Sequence, residues 1–258
     1  MRKAKRLFEF NNKSHKIKNL KKPVIFLLGP TASGKTNTAL NLYSELPIEI
    51  ISVDSVMVYE NFDLGSAKPS QEILKNYPHH LINISTPEEI YTASDFVKDA
   101  IRLIKNAHQE GKLPLLVGGS MMYFQSLVKG LDNLPQRDDA FREKMKAIKD
   151  SKGMKTLFDE LKLKDPDYAN SIKENDSQRV IRALEVIHLS NKSLSSQLGR
   201  LSNNSFLDDY HVAQCGIFPN DRKMLHKRIE SRLKKIIDDG LVDETRKILQ
   251  TYNIKDDH

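Results

Sequence analysis

The residues best suited to chemistry lie at Gly29-Pro30-Thr31-Ala32-Ser33-Gly34-Lys35-Thr36, which fits G-x-x-x-x-G-K-[ST] at every fixed position. In such a stretch the glycines let the chain curl so that successive backbone N–H groups point inward at a helix N-terminus, forming a seat for an anion. Lys35 places a positive charge near the outer phosphate of a diphosphate. Thr36 offers a hydroxyl to magnesium, a hard ion that takes oxygen ligands and few of them from protein. The loop alone does not select its diphosphate, because kinases, nucleotide hydrolases and some transferases share it.

Two stretches nearby narrow the chemistry. Asp54-Ser55 follows a strand-like run, Ile48–Val53, so the carboxylate stands at the carboxyl edge of a sheet, where open α/β folds bind ligands. That position suits a general base, a metal ligand or a helix N-cap. The apolar run Pro114–Val117 ends in Gly118-Gly119-Ser120, not in the acidic residue that usually supports magnesium beside a phosphate loop. Glycines there leave room for a ligand or another backbone, which weighs against nucleotide hydrolysis. His79-His80 has diverging side chains and no evident further ligand, and reads as structural. Met121–Phe124 reads as helix core, with the lining of a prenyl channel as the other reading, and Cys215 as packing in an apolar strand.

The elements that must position these residues alternate between strand-like and helix-like segments, which predicts an α/β fold with a mainly parallel sheet flanked by helices. Strands are predicted at Val24–Leu28, Ile48–Val53, Pro114–Val117 and His211–Phe218, and a helix from about Lys35 to Leu46. Over Asp95–Glu110 the apolar residues Phe96, Ala100, Ile104 and Ala107 have helical spacing, and Gly111 suits the C-terminal cap. Asp221–Leu249 reads as a charged helical region broken near Gly240. From 132 to 196 the texture changes to charged helices divided by Pro135, Gly153 and Pro166, which predicts a helical insertion domain between two parts of a catalytic core, 23–131 and 197–258.

Composition bounds the remaining possibilities. A chain of 258 residues with 39% hydrophobic content can bury one substantial core and a smaller appendage. No apolar run has the length of a membrane span, and the basic N-terminus leads into polar residues rather than a secretory core. A lone cysteine excludes an internal disulfide and a multi-cysteine zinc module, so a reducing cytoplasm is the expected setting. The net charge of +7 is concentrated in a basic tail, since residues 1–22 hold nine Lys/Arg and one acid while the rest is nearly neutral. Such a tail strengthens RNA binding or is merely solvated.

Taken together, the motifs resemble the tRNA dimethylallyltransferases (tRNA isopentenyltransferases, the IPP transferase family). Gly29–Thr36, Ile51–Ser55, Gly65–Pro69, His79–Ile82, Pro114–Ser120 with Met121–Phe124, and Asp176–Val186 occur in the family's order, and Arg222–Glu244 resembles its next helical block. The resemblance covers roughly residues 24–250. It implies a P-loop NTPase-like core and transfer of a dimethylallyl group from dimethylallyl diphosphate to N6 of the adenine 3′ of the anticodon. Asp54 would then be the general base, Gly29–Thr36 the donor loop, Lys35, Thr36 and Arg232 the groups acting on the diphosphate, and Thr36 a ligand of Mg2+. Asp54, Ser55, Val56, Met57, Ser120, Arg142, Gln178, Arg179, Val180, Ile181 and Arg182 match positions that touch tRNA in the family. Arg179 and Arg182, three apart on a helix, also suit a salt bridge at the edge of a core.

The expected partners are therefore the anticodon stem-loop of tRNA and the isoprenoid donor, with no membrane, for a monomer. Met57 stands where the family usually has Gln, and Ser66 and Ser120 replace Thr. The family continues beyond Asp257-His258 with a Gly-Tyr motif and basic helices, so exposed apolar surface, lower stability and weaker tRNA binding are expected of this chain. A small-metabolite kinase and an inactive tRNA-binding remnant are the alternatives.

Overall fold

The computed structural model describes residues 21–199 and 206–254, so nearly all of the basic tail lies outside the described residues. Five strands form one sheet: β1 (Lys22–Leu28), β2 (Ile48–Val53), β3 (His79–His80), β4 (Leu113–Gly118) and β5 (Tyr210–Gly216), in the order β3-β2-β4-β1-β5. Every neighbouring pair is parallel. Parallel neighbours require crossovers, supplied by α1 (Lys35–Glu45), α2 (Gln71–Asn76) and α3 (Ala93–Gln109). Central strands covered on both faces must be apolar throughout, and Val24, Phe26, Ile50, Ile51, Leu115 and Leu116 are buried. The fold is the expected α/β arrangement with a parallel sheet.

Register decides what the sheet presents at its carboxyl edge. Leu28 pairs with Gly118, and Gly118 also pairs with Val53. The residues that follow these three strands, Gly29, Asp54 and Gly119, therefore emerge side by side. The glycine at 118 is required, because a Cβ there would stand 1.9 Å from the Val53 carbonyl oxygen. Gly29 is equally constrained: a Cβ on it would come within 2.5 Å of the Ile217 carbonyl oxygen, and its φ of 157° lies at the limit of what side chains allow.

Local signals account for the helix ends. Thr92 and Asp95 form a capping box at the start of α3, which buries Phe96, Ala100, Leu103, Ile104 and Ala107. Gly111, with φ of 70°, follows its C-terminus. α4 (Met121–Lys129) buries Tyr123 and Phe124 while Met121 and Met122 are exposed, so half of the expected core segment faces outward. The charged region after β5 divides at Gly240 into two helices, as its sequence suggests. Cys215 corrects its sequence reading: it is exposed, as are Ala213, Gln214 and Gly216 beside it on the edge strand β5.

The described residues divide into two compact units, 21–124 with 206–254, and 125–199. The second contains α5 (Asp139–Lys152), α6 (Met154–Lys164), α7 (Pro166–Ser171) and α8 (Ser177–Ser190) around Leu157, Leu161, Val180, Ala183, Leu184 and Val186. Back in the first unit, the short α9 (Phe206–Asp209) precedes β5, and α10 (Arg222–Asp238) and α11 (Leu241–Thr251) follow it. Asp138, Asp165 and Asp176 each accept a backbone N–H from the first turn of the helix they precede. Among the described residues, no helix is long and apolar enough to cross a membrane.

Candidate active site

A cleft of about 330 Å³ opens at the carboxyl edge of the sheet, lined by Thr31 to Asn37, Ser52, Asp54, Met57, Ser66, Ala67, Pro69, His79, Ile82, Val117, Gly118, Gly119 and Arg232. All of these belong to the first unit. The loop after β1 forms its floor. Ala32 and Gly34 both adopt positive φ, 57° and 100°, which turns the chain into α1 and leaves the helix N-terminus uncapped by any side chain. Ser33 is buried and its hydroxyl has no hydrogen-bond partner among the described residues. Free amides at a helix N-terminus and an unpartnered buried hydroxyl are the features of an anion seat.

Lys35 folds over this seat, donating to the carbonyls of Gly29 at 2.8 Å and Pro30 at 2.7 Å. Burial holds its pKa below the ordinary lysine value, opposed by the negative charge of Asp54 and reinforced by the positive charge of Arg232. The three charges thus share one field. Arg232 reaches in from α10 and donates to the Thr31 hydroxyl and to the Ala67 carbonyl, each at 3.3 Å.

Asp54 is held by its own turn. Its Oδ1 accepts the backbone N–H groups of Val56 at 2.9 Å and Met57 at 3.2 Å, and Oδ2 has no hydrogen bond among the described residues. One oxygen fixes the carboxylate and the other is left to accept a proton. Ser120 ties the two strand tips together: its N–H donates to the Val53 carbonyl, and its hydroxyl accepts the Ser55 N–H at 3.2 Å.

For a magnesium ion the donors are few. Among the described residues no group of three or more His, Cys, Asp or Glu could hold a metal. The exposed Thr36 hydroxyl beside an anion seat fits an ion that arrives with a diphosphate and takes its other ligands from phosphate oxygens and water.

His79 belongs to this cleft, which its sequence reading as a structural residue did not reveal. Its Nδ1 hydrogen bonds to the Tyr77 carbonyl at 2.6 Å, and burial holds its pKa below the ordinary histidine value. His80 turns away to Glu49, which also pairs with Lys112 at 2.8 Å. Of the remaining expected donor and tRNA residues in this unit, Gly29, Pro30, Ser55, Val56 and Ser120 adjoin the cleft through the bonds just given without lining it.

Arg142 and Gln178 to Arg182 lie in the second unit. Gln178 and Arg179 are exposed, and Arg179 pairs with Asp176 at 3.4 Å. Val180 is a correction: it is fully buried in that unit's core, as the inward face of an amphipathic helix demands, and presents no side chain to a ligand. Ile181 packs against the same core. Arg142 and Arg182 both converge on Glu185, which is fully buried; Arg142 forms a two-pronged pair at 2.7 and 3.0 Å, and Arg182 also donates to the Pro135 carbonyl.

Burial pushes the Glu185 carboxyl up, but the bonds from Arg142, the Asp138 N–H and Arg182 outweigh it and hold it below its ordinary 4.5. A depressed folded pKa means that this stabilisation is complete above about pH 4.5 and is lost as pH falls through the folded value. Glu185→Gln is expected to lower stability by about 3–5 kcal/mol at neutral pH, since two guanidiniums lose a buried partner, and by less at acid pH. Urea unfolding across that pH range measures it; a constant difference would contradict the ion pair's role.

With this geometry in view, the comparisons with known proteins decide the family. The IPP transferase family model matches residues 57–258. The chain belongs to the IPP transferase family. It is accordingly a transferase. A tRNA dimethylallyltransferase of Vesicomyosocius okutanii is 43% identical over 235 residues, 91% of this chain and 76% of that protein. One from Nitrosomonas eutropha is 42% identical over 233 residues, 90% and 73% of the two chains. The crystal structure of a full-length tRNA isopentenylpyrophosphate transferase from Bacillus halodurans superposes with a TM-score of 0.59 at 35% identity, covering 92% of this chain and 72% of that one.

Proposed function

We propose that the chain transfers a dimethylallyl group from dimethylallyl diphosphate to N6 of the adenine 3′ of the anticodon in tRNA. The observation that carries this reading is the placement of one free carboxylate oxygen, on Asp54, beside an anion seat that also holds Lys35 and Arg232. Membership of the IPP transferase family supports it over the kinase reading.

Chemistry gives each residue a task. Ionisation of an allylic diphosphate leaves a delocalised carbocation and gathers negative charge on the departing group. Fixed N–H dipoles at Gly34 to Thr36, the Lys35 ammonium and the Arg232 guanidinium stabilise that charge as it develops. The guanidinium is geometrically suited to two phosphate oxygens at once. Thr36, together with the diphosphate, would hold a magnesium ion, which would supply further charge neutralisation. The exocyclic amine of adenine is a poor nucleophile because its lone pair is delocalised into the ring. Asp54 Oδ2 takes a proton from it as the new N–C bond forms, while Oδ1 stays fixed by two amides. The adenine must leave its stack to reach this carboxylate.

The test is incubation with magnesium, labelled dimethylallyl diphosphate and unmodified tRNA. Label on adenine supports the reading. Tight tRNA binding without label would indicate an inactive RNA-binding protein, and phosphate transfer from ATP a kinase.

A further inference from the structure

We infer that Glu244, which does not line the cleft, is a positioning residue for Arg232, acting through the loop that walls the diphosphate site; this rests on the diphosphate reading of that site. Glu244 stands in the first turn of α11 and accepts three consecutive backbone N–H groups. Oε2 takes Asp63 at 3.0 Å and Leu64 at 2.7 Å, and Oε1 takes Gly65 at 3.0 Å. Three amides in succession turned toward one carboxylate make a fixed, charge-assisted anchor, stronger than neutral bonds of the same number. A single carboxylate can satisfy all three only with the loop in this one conformation.

What the anchor holds is the wall of the site. The chain passes directly from Gly65 to Ser66, Ala67 and Pro69, which line the cleft. Within the loop the Ala67 N–H donates to the Leu64 carbonyl at 3.0 Å and the Lys68 N–H to the Asp63 carbonyl at 3.0 Å, so the segment moves as one turn. Ala67 is kept in a left-handed conformation, with φ of 55°, which a residue other than glycine adopts only when its surroundings impose it. That conformation presents the Ala67 carbonyl to Arg232 Nη2 at 3.3 Å, while Nη1 meets Thr31. Glu244 is thus one rigid turn away from the acceptor that aims the guanidinium into the cleft.

The other end of the loop is tied independently. Lys68, with a side chain only 2% exposed, bonds Asp63 at 3.1 Å and Asn83 at 2.6 Å and also reaches the Tyr59 carbonyl, and Asn61 donates to the Tyr252 hydroxyl at 2.7 Å. The buried Lys68 fixes where the loop sits, the Asn61 bond lies at its far end away from the cleft, and the Glu244 anchor sets the turn that carries Ala67. Among the described residues the Asp63, Leu64 and Gly65 amides have this carboxylate as their acceptor and no other, so its loss leaves them to water.

The test is a double-mutant cycle read by binding of inorganic pyrophosphate with magnesium, which needs no tRNA. Glu244→Gln is expected to weaken pyrophosphate binding about tenfold in the Arg232 background and less than about twofold when combined with Arg232→Ala, because the effect passes through that arginine. Tyr252→Phe, which loosens α11 elsewhere, is expected to leave the affinity unchanged. Equal weakening in both Arg232 backgrounds, or by Tyr252→Phe to the same degree as Glu244→Gln, would show general loosening and overturn the inference, as would no weakening at all. Should Glu244→Gln not fold, Glu244→Asp takes its place in the cycle, since it keeps the charge but draws the oxygens back by one methylene. Failure of the unaltered protein to bind pyrophosphate would instead overturn the diphosphate reading, and this inference with it.

Discussion

Asp54→Asn is expected to lower the rate of prenyl transfer by about 10²- to 10⁴-fold, the range of general base catalysis, while leaving pyrophosphate binding nearly unchanged. Asparagine keeps an Oδ1 that can still accept the Val56 and Met57 amides, so the turn after β2 survives the change. What it loses is the second oxygen, replaced by an amide nitrogen with no basic lone pair. The substitution therefore separates the carboxylate's chemical task from its structural one. Single-turnover transfer with saturating donor measures the first, and pyrophosphate titration checks that the seat is intact. Transfer within about threefold of the unaltered protein would remove Asp54 from the base role.

Lys35→Met is expected to cost about 10²- to 10³-fold in kcat/KM for the donor, comparable to removing one preorganised donor from a site where negative charge develops. Methionine keeps the length of the side chain and loses the ammonium that now bridges the Gly29 and Pro30 carbonyls. The same residue gives the site a pH dependence with a definite sign. Burial and Arg232 lower its pKa, and a bound diphosphate favours its charged form. Binding is therefore strongest below the free-state pKa of Lys35 and weakens as pH rises through it. Pyrophosphate affinity that stays flat with alkaline pH in the unaltered protein would count against this assignment.

Much of the site was legible because it depends on short segments read in order. The phosphate loop needs glycines at fixed offsets between a strand and a helix, and Asp54 follows a strand whose apolar run is unmistakable. The pair Gly118-Gly119 signalled close approach, and the approach is backbone to backbone, against Val53. Other features have no local signal. β3 has two residues, too few for any period, so His79 could be read only as one of an adjacent pair. Glu244 looks like any acid in the first turn of a helix; its role comes from a loop 180 positions earlier in the chain. Arg232 was named through family resemblance, since nothing in a charged helix marks which of its basic residues faces inward.

The second unit shows the same limit in another form. Helical spacing placed Arg179 and Arg182 on one face, but their surroundings separate them: Arg179 stays exposed beside Asp176, while Arg182 turns to the buried Glu185. A buried carboxylate that gathers two arginines from different helices is decided by tertiary packing, to which the pattern of one helix is blind. The exposed Met224, Leu233 and Ile237 on α10 make the same point, because α10 has no fully buried residue despite its apolar positions.

A crystal structure with magnesium and a non-reactive dimethylallyl diphosphate analogue would place the donor relative to Asp54 and so test the proposed chemistry at its centre. The diphosphate is expected on the amides of Gly34 to Thr36, touched by Lys35 and Arg232, with the allylic carbon facing the open side of Asp54. A diphosphate seated elsewhere, or an allylic carbon directed away from that carboxylate, would contradict that chemistry.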